Sequence, residues 1–125
     1  MADSLARLHQ AVLSARDGDP SVSRTARLFQ AGRAKMAKKL AEEAVEVVID
    51  VMQADREAVV RESADLLYNL VVLWVASDIE PEDVWREMDR RERLFGIAEK
   101  LKALAPPKER RKVAAATVRQ ARKRS

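Results

Sequence analysis

The chain has 125 residues, with no cysteine and a single histidine. A chain of this length forms one domain, and without cysteine it has neither disulfides nor a thiolate metal site. Its formal charge of +4 is unevenly distributed, because residues 106–125 hold eight lysines and arginines against one acid, a surplus of +7 that leaves −3 on residues 1–105. We therefore predict a folded domain over residues 1–105 and a basic, mobile tail over residues 106–125.

Hydrophobic residues make up 47% of the chain and charged residues 35%, with only three glycines and four prolines. A composition so poor in turn-forming residues indicates an all-α protein. The longest apolar run, residues 70–76, is too short to span a bilayer, and no apolar leader with a cleavage site begins the chain. We expect a cytoplasmic protein without a membrane partner.

Apolar residues at helical spacing, together with cap and turn residues, predict a series of helices. The expected segments are residues 4–15 capped by Ser4, 21–31 closed by Gly32, 33–54, 56–77 capped by Asp55, and 82–93 led by Pro81. The connection between the third and fourth segments is tight, which favours antiparallel packing. The expected architecture is an antiparallel bundle of four to five helices.

The third predicted helix is amphipathic. Leu40, Ala44, Val47, Val48 and Val51 form its apolar face, and the opposite side carries Lys39, Glu42, Glu43, Glu46 and Asp50. The fourth predicted helix differs, because apolar residues cover most of its circumference, which is typical of a buried helix. So much apolar surface on one short chain predicts a homo-oligomer, most simply a dimer that completes the bundle.

Polar residues in the middle of the fourth predicted helix lie on one narrow stripe, Glu62, Asp65 and Asn69. A buried carboxylate without a partner is costly enough to take up a proton instead. Two carboxylates on one stripe, packed against the acids of the third helix, require cations between them. Asn69 is either a substrate contact or a hydrogen-bonded core amide.

Carboxylate ligands without histidine or cysteine favour hard cations, chiefly Mg²⁺ with Mn²⁺ as a second candidate. Mg²⁺ commonly shares its coordination with substrate phosphates. Basic residues immediately before the acids are candidates for holding those phosphates: Arg33, Lys35, Lys38 and Lys39. The pattern therefore favours metal-assisted hydrolysis of a phosphoanhydride in a nucleotide substrate.

The spacing of Glu42, Glu43 and Glu46, followed by Glu62 and Asp65, resembles the all-α nucleotide pyrophosphohydrolase superfamily that includes the MazG enzymes. More narrowly, residues 27–32, 38–49, 62–70 and 78–84 are similar to the phosphoribosyl-ATP pyrophosphatase family of histidine biosynthesis. The resemblance implies a MazG-like helical fold, a homodimer or larger assembly, and Mg²⁺-dependent release of pyrophosphate from phosphoribosyl-ATP. It also implies metal-ligand roles for Glu42, Glu43, Glu46, Glu62 and Asp65, with Glu43, Glu46 or Glu62 acting on the attacking water.

Other interpretations of the same residues stay open. Taken alone, the acids of the third helix are more typical of a solvated helix face than of a metal site. A divergent paralogue would hydrolyse other nucleoside triphosphates as a housecleaning pyrophosphatase. A third alternative is a helical module without enzymatic activity that binds nucleic acid through its basic tail, although a charge run of this kind is more often a solvated arm. We do not expect a nucleic-acid partner.

Overall fold

The computed structural model describes residues 2–104, apart from the side chains of residues 2, 3, 97, 98, 101 and 104. The elements are α1 (Ala2–Arg16), α2 (Arg24–Ala31), α3 (Arg33–Met52), α4 (Arg56–Ala76) and α5 (Pro81–Leu104). Residues 2–104 contain no strand, so the all-α prediction is confirmed for the part of the chain that the structure describes. The predicted tail, residues 106–125, lies outside it.

The described part of the chain divides into two compact units, one that ends at Pro81 and one that begins at Glu82. In the first unit α4 packs against α3 and α1, and α2 contacts α1 and α3. The described residues of the second unit belong to α5. No helix within residues 2–104 is both long and apolar enough to cross a membrane.

Local sequence signals explain where most helices begin and end. The Asp55 carboxylate caps α4 by accepting a hydrogen bond from the Ala58 amide at 3.1 Å, and Pro81 occupies the first position of α5, as predicted. Gly32 lies between α2 and α3 with a φ of 97°, a conformation that side chains other than glycine rarely adopt. Its amide donates to the Leu28 carbonyl and closes α2.

Four predicted boundaries were wrong by two or more residues, and one of them is the end of α3, which lies at Met52 and not at residue 54. The helix α1 begins at Ala2, so that Ser4 lies inside it and its hydroxyl accepts a hydrogen bond from Arg7 instead of capping the helix. Helix α2 begins at Arg24, because the Ser23 hydroxyl accepts from the Ala26 amide and acts as its cap. Helix α5 continues beyond Arg93 to Leu104, since no proline or turn sequence stops it before Pro106.

The core of the first unit lies around the C-terminal half of α4. Its buried apolar residues are Val12 of α1, Ala26 and Leu28 of α2, Met36 of α3, and Ala58, Val71, Val72, Trp74 and Val75 of α4. Most of them belong to the end of α4 or to the segments packed against that end. The N-terminal half of α4 therefore meets α3 with few buried apolar side chains between them, and this is where the acids lie.

Candidate active site

The pairing of α3 with α4 brings the acidic residues of the two helices together. At the start of α3, the Arg33 guanidinium donates to the Ala76 carbonyl at the end of α4, at 3.2 Å. This contact shows the antiparallel register, which places the middle of α3 opposite the middle of α4. One carboxylate oxygen each of Glu43, Glu62 and Asp65 lie within 4.8 Å of one another. We refer to these three residues as the carboxylate cluster.

Each residue of the carboxylate cluster is half-buried, and its charges are not matched by basic side chains. Within residues 2–104, no lysine or arginine forms an ion pair with any of the three; the observed ion pairs lie at the end of α1 and within α5. One oxygen of Glu62, Oε2, is inaccessible to solvent and has no hydrogen-bond partner. A buried carboxylate oxygen without a donor is unfavourable, so the cluster is incomplete without a proton or a cation.

The pKa of Glu62 reflects this environment and is raised from 4.5 to about 7. The largest cause is a hydrogen bond to Glu43, which exists only while one of the two carboxyl groups carries a proton. Burial also contributes, followed by the negative charges of Glu43, Asp65 and Asp50. When both carboxylates are ionised, the hydrogen bond between Glu62 and Glu43 is lost. A bound cation would favour the ionised form instead.

The donor set fits a hard divalent cation. It consists of oxygen atoms from two helices whose backbones are held by packing, and its buried oxygen without a partner faces like charges. Magnesium and manganese bind to such carboxylate oxygens and retain positions for water or phosphate. Glu43, Glu62 and Asp65 are the residues that would hold the ion.

The other two predicted metal ligands lie beside this cluster on α3. Glu42 and Glu46 are exposed, and neither belongs to the group whose oxygens approach one another within 4.8 Å. Glu46 follows Glu43 by three residues, which places the two as neighbours on the helix surface. Its carboxylate therefore borders the cluster from the solvent side.

The predicted phosphate-binding residues lie at different depths along α3. At a rise of about 1.5 Å per residue, Arg33 is about 15 Å and Lys35 about 12 Å from Glu43 along the helix axis, whereas Lys39 is only about 6 Å away. Arg33 also bonds to Ala76, at the far end of the helix pair. Lys39, half-buried, is the basic residue of this group nearest to the carboxylate cluster.

Asn69 is 1% exposed, and its side-chain amide donates to the Asp65 carbonyl at 2.9 Å. This is the geometry of a core amide, the second of the two interpretations that the sequence left open. The bond also stiffens the turn of α4 that carries Asp65.

One residue near the site was missed by the sequence argument. Asp50 is half-buried, and its charge contributes to the raised pKa of Glu62. It follows Glu43 by seven residues, a spacing that returns to the same face of a helix. That spacing could have identified Asp50 as a neighbour of the site, but from the sequence it was assigned only to the polar face of α3.

Comparison with known proteins places the chain in a family. The family described as phosphoribosyl-ATP pyrophosphohydrolase matches residues 5–92, a range that contains the whole carboxylate cluster. The chain belongs to this family. The resemblance drawn from the acidic spacing is thereby confirmed.

Individual relatives support the assignment. The chain is 64% identical to phosphoribosyl-ATP pyrophosphatase 2 of Rhodopseudomonas palustris, with 98% of each chain covered. It is 62% identical to the protein of the same name from Bradyrhizobium diazoefficiens, with 99% of each covered. Identity to the phosphoribosyl-ATP pyrophosphatase of Granulibacter bethesdensis is 53% over 77% of this chain and 60% of that protein. The first two alignments extend through most of the basic tail.

Proposed function

We propose that this enzyme hydrolyses the α–β phosphoanhydride of phosphoribosyl-ATP in a Mg²⁺-dependent reaction that yields phosphoribosyl-AMP and pyrophosphate. The observation that carries the proposal is the close approach of Glu43, Glu62 and Asp65 without a basic partner. Membership of the family and the names of its relatives support the choice of substrate.

In this proposal Glu42, Glu43, Glu46, Glu62 and Asp65 share the binding of one or more metal ions. A bound Mg²⁺ supplies charge neutralisation on the phosphate oxygens. Hydrolysis adds one water across the anhydride, so that one phosphorus–oxygen bond forms and one breaks. The proton released from the water is accepted by a carboxylate, and Glu43, Glu46 and Glu62 are the candidates for this role.

Substrate phosphates also need contacts from the protein. Lys39 is the best placed of the predicted residues, because it lies one turn before Glu43 and has no ion pair within residues 2–104. Lys35 would reach only an extended substrate. Arg33 and Asn69 would have to exchange their bonds to Ala76 and Asp65 for a bond to substrate.

We further propose a cytoplasmic homodimer. On α3, Val45, Val48 and Met52 are 55%, 61% and 80% exposed, and on α4 Val60 and Leu67 are 56% and 42% exposed. Residues 45, 48 and 52 share one helix face, and exposed apolar surface of this kind normally marks an interface. The solution mass at micromolar concentration and moderate salt should correspond to two chains, and a single-chain mass would contradict the proposal.

The decisive experiment is a hydrolysis screen with Mg²⁺. Phosphoribosyl-ATP should be turned over with a higher kcat/KM than ATP, other canonical nucleotides or damaged nucleoside triphosphates. Preference for a damaged nucleotide would identify a housecleaning pyrophosphatase instead. Absence of hydrolysis, combined with nucleic-acid binding that weakens steeply with salt, would favour the non-enzymatic module.

A further inference from the structure

The first two residues of helix α2, Arg24 and Thr25, both contact Tyr68 of α4. Tyr68 follows Asp65 by three residues on α4, so their Cβ atoms lie roughly 5–6 Å apart. The Tyr68 hydroxyl shares a hydrogen bond of 2.6 Å with Thr25 Oγ1. The guanidinium carbon of Arg24 lies 5.6 Å from the centre of the Tyr68 ring. The first turn of α2 is thus attached to α4 next to an acid of the cluster.

Arg24 differs from two other arginines of the first unit, whose guanidinium groups donate to backbone carbonyls. Arg27, on the same helix, donates to the Pro20 carbonyl at 2.8 Å, and Arg33 donates to Ala76. Arg24 is exposed and, within residues 2–104, forms neither a hydrogen bond nor an ion pair. A cation–π contact occupies none of the five N–H donors of a guanidinium group. Its donors are therefore available to an anion.

The chemistry of the proposed substrate requires such a group. Phosphoribosyl-ATP carries a triphosphate and a separate ribose phosphate, and the protein side of the cluster is itself anionic. Divalent cations offset part of this charge, and an arginine that lies over Tyr68, three residues after Asp65, offsets more while binding phosphate oxygens in a defined orientation. The Tyr68 ring restricts the conformations of the Arg24 side chain and reduces the entropy lost on binding.

We propose that Arg24 binds a phosphate group of the nucleotide substrate, with Tyr68 as its positioning residue and Thr25 fixing the Tyr68 hydroxyl. This inference rests on the proposed function, because it assigns a contact for the same substrate. Tyr68 lies 43 or more positions after Thr25 and Arg24 in the chain, so the arrangement arises only from the tertiary fold.

The test compares Arg24→Ala with Arg27→Ala, which removes a cation from the same helix at a site bonded to backbone. Loss of a hydrogen bond to a charged group should raise KM for phosphoribosyl-ATP by about tenfold or more, with a much smaller change in kcat, because phosphate binding of this kind acts on substrate and transition state alike. Arg27→Ala should leave KM close to the wild-type value. The KM of Arg24→Lys should lie between those of the wild type and Arg24→Ala, since lysine keeps the charge but lacks the planar, forked donors of arginine.

The role of Tyr68 is tested separately. Tyr68→Leu removes the ring and should raise KM in the same direction as Arg24→Ala, whereas Tyr68→Phe keeps the stacking face and should restore most of the affinity. Equal losses for the phenylalanine and leucine variants would show that the ring does not position Arg24.

A binding measurement separates this inference from the proposed reaction. Inorganic pyrophosphate with Mg²⁺, and ribose 5-phosphate in a parallel arm, are titrated into the full-length wild type and Arg24→Ala by calorimetry. A dissociation constant weakened about tenfold for either probe supports the inference, even if wild-type turnover of phosphoribosyl-ATP fails. Unchanged affinity for both probes together with unchanged KM overturns it, as does equal weakening in Arg27→Ala, or absence of binding of both probes to the wild type.

Discussion

Two glutamates in different parts of the molecule show how the partners of a carboxylate decide its chemistry. Glu62 on α4 has a pKa raised to about 7, primarily by Glu43. Glu87 on α5 has a pKa lowered to about 2 by hydrogen bonds from Arg90 and then Arg91, at 2.6 to 3.0 Å.

Both side chains are partly exposed, so burial alone does not explain the difference between their pKa values. The acid on α5 is satisfied within one turn of its own helix by residues three and four positions ahead, the spacing at which side chains meet on a helix. Among the described residues, the charges that raise the pKa of the acid on α4 are those of other acids, two on α3 and one on α4 itself. Glu62, which lacks a basic partner, is available to bind a ligand, whereas Glu87 stabilises its own helix.

The largest difference is expected in turnover. Glu62→Gln and Asp65→Asn keep the shape of each side chain and remove its charge, so pyrophosphate release should fall on the order of 100-fold or more. Glu87→Gln should stay within a few-fold of wild type, because its role is confined to α5. A pyrophosphate-release assay with Mg²⁺ measures all three, and normal hydrolysis by Glu62→Gln would show that the cluster is not catalytic.

Metal binding provides the second test of the comparison. Mg²⁺ should raise the melting temperature of the wild type, since a ligand that binds the folded state stabilises it, and should have much less effect on Glu62→Gln or Asp65→Asn. Without metal, both variants should be as stable as the wild type or more stable, because removing one of several close like charges relieves repulsion. Lower melting of the metal-free variants would instead indicate structural ion pairing.

The two glutamates should also give opposite pH dependences in the absence of divalent ions. The folded pKa of Glu62, about 7, lies above its ordinary value of 4.5, so the native state binds the extra proton and stability falls as pH rises from about 4.5 to about 7. Glu87 has a folded pKa near 2, and its contribution is present above about 4.5 and is lost as pH falls toward 2.

Urea midpoints measured across this pH range check both signs. Glu62→Gln should flatten the neutral part of the profile, and Glu87→Gln should flatten the acidic part. If the urea midpoint of Glu62→Gln still falls between pH 4.5 and about pH 7 as in the wild type, another group causes that dependence.

The smallest effect is expected from deletion of residues 106–125. This segment holds eight basic residues. If the chain itself neutralised the carboxylate cluster, these residues would be the simplest source of positive charge. All the proposed site residues precede it, so the shortened protein should retain nearly full turnover. A large loss of kcat in a shortened chain with wild-type melting behaviour would place the tail at the active site and weaken the contrast drawn above.

Local features were predictable because they depend on residues close in sequence. The caps at Asp55 and Pro81 and the break at Gly32 follow from the backbone preferences of those residues. Boundaries without a strong stop signal were less predictable, as at the extended end of α5. The sequence pattern predicted an apolar face on α3, but Val48 and Val51 on that face are 61% and 55% exposed in the structure.

The sequence by itself determined that the protein is helical, that its acids occur in two groups on consecutive helices, and that their spacing belongs to a nucleotide pyrophosphohydrolase family. Only the tertiary structure decided that Glu43 meets Glu62 and Asp65, that the charge of Asp50 acts on Glu62, and that Arg24 lies over the Tyr68 ring. The physical reason is that helical periodicity fixes which residues share a face, while the register and crossing of packed helices decide which faces meet.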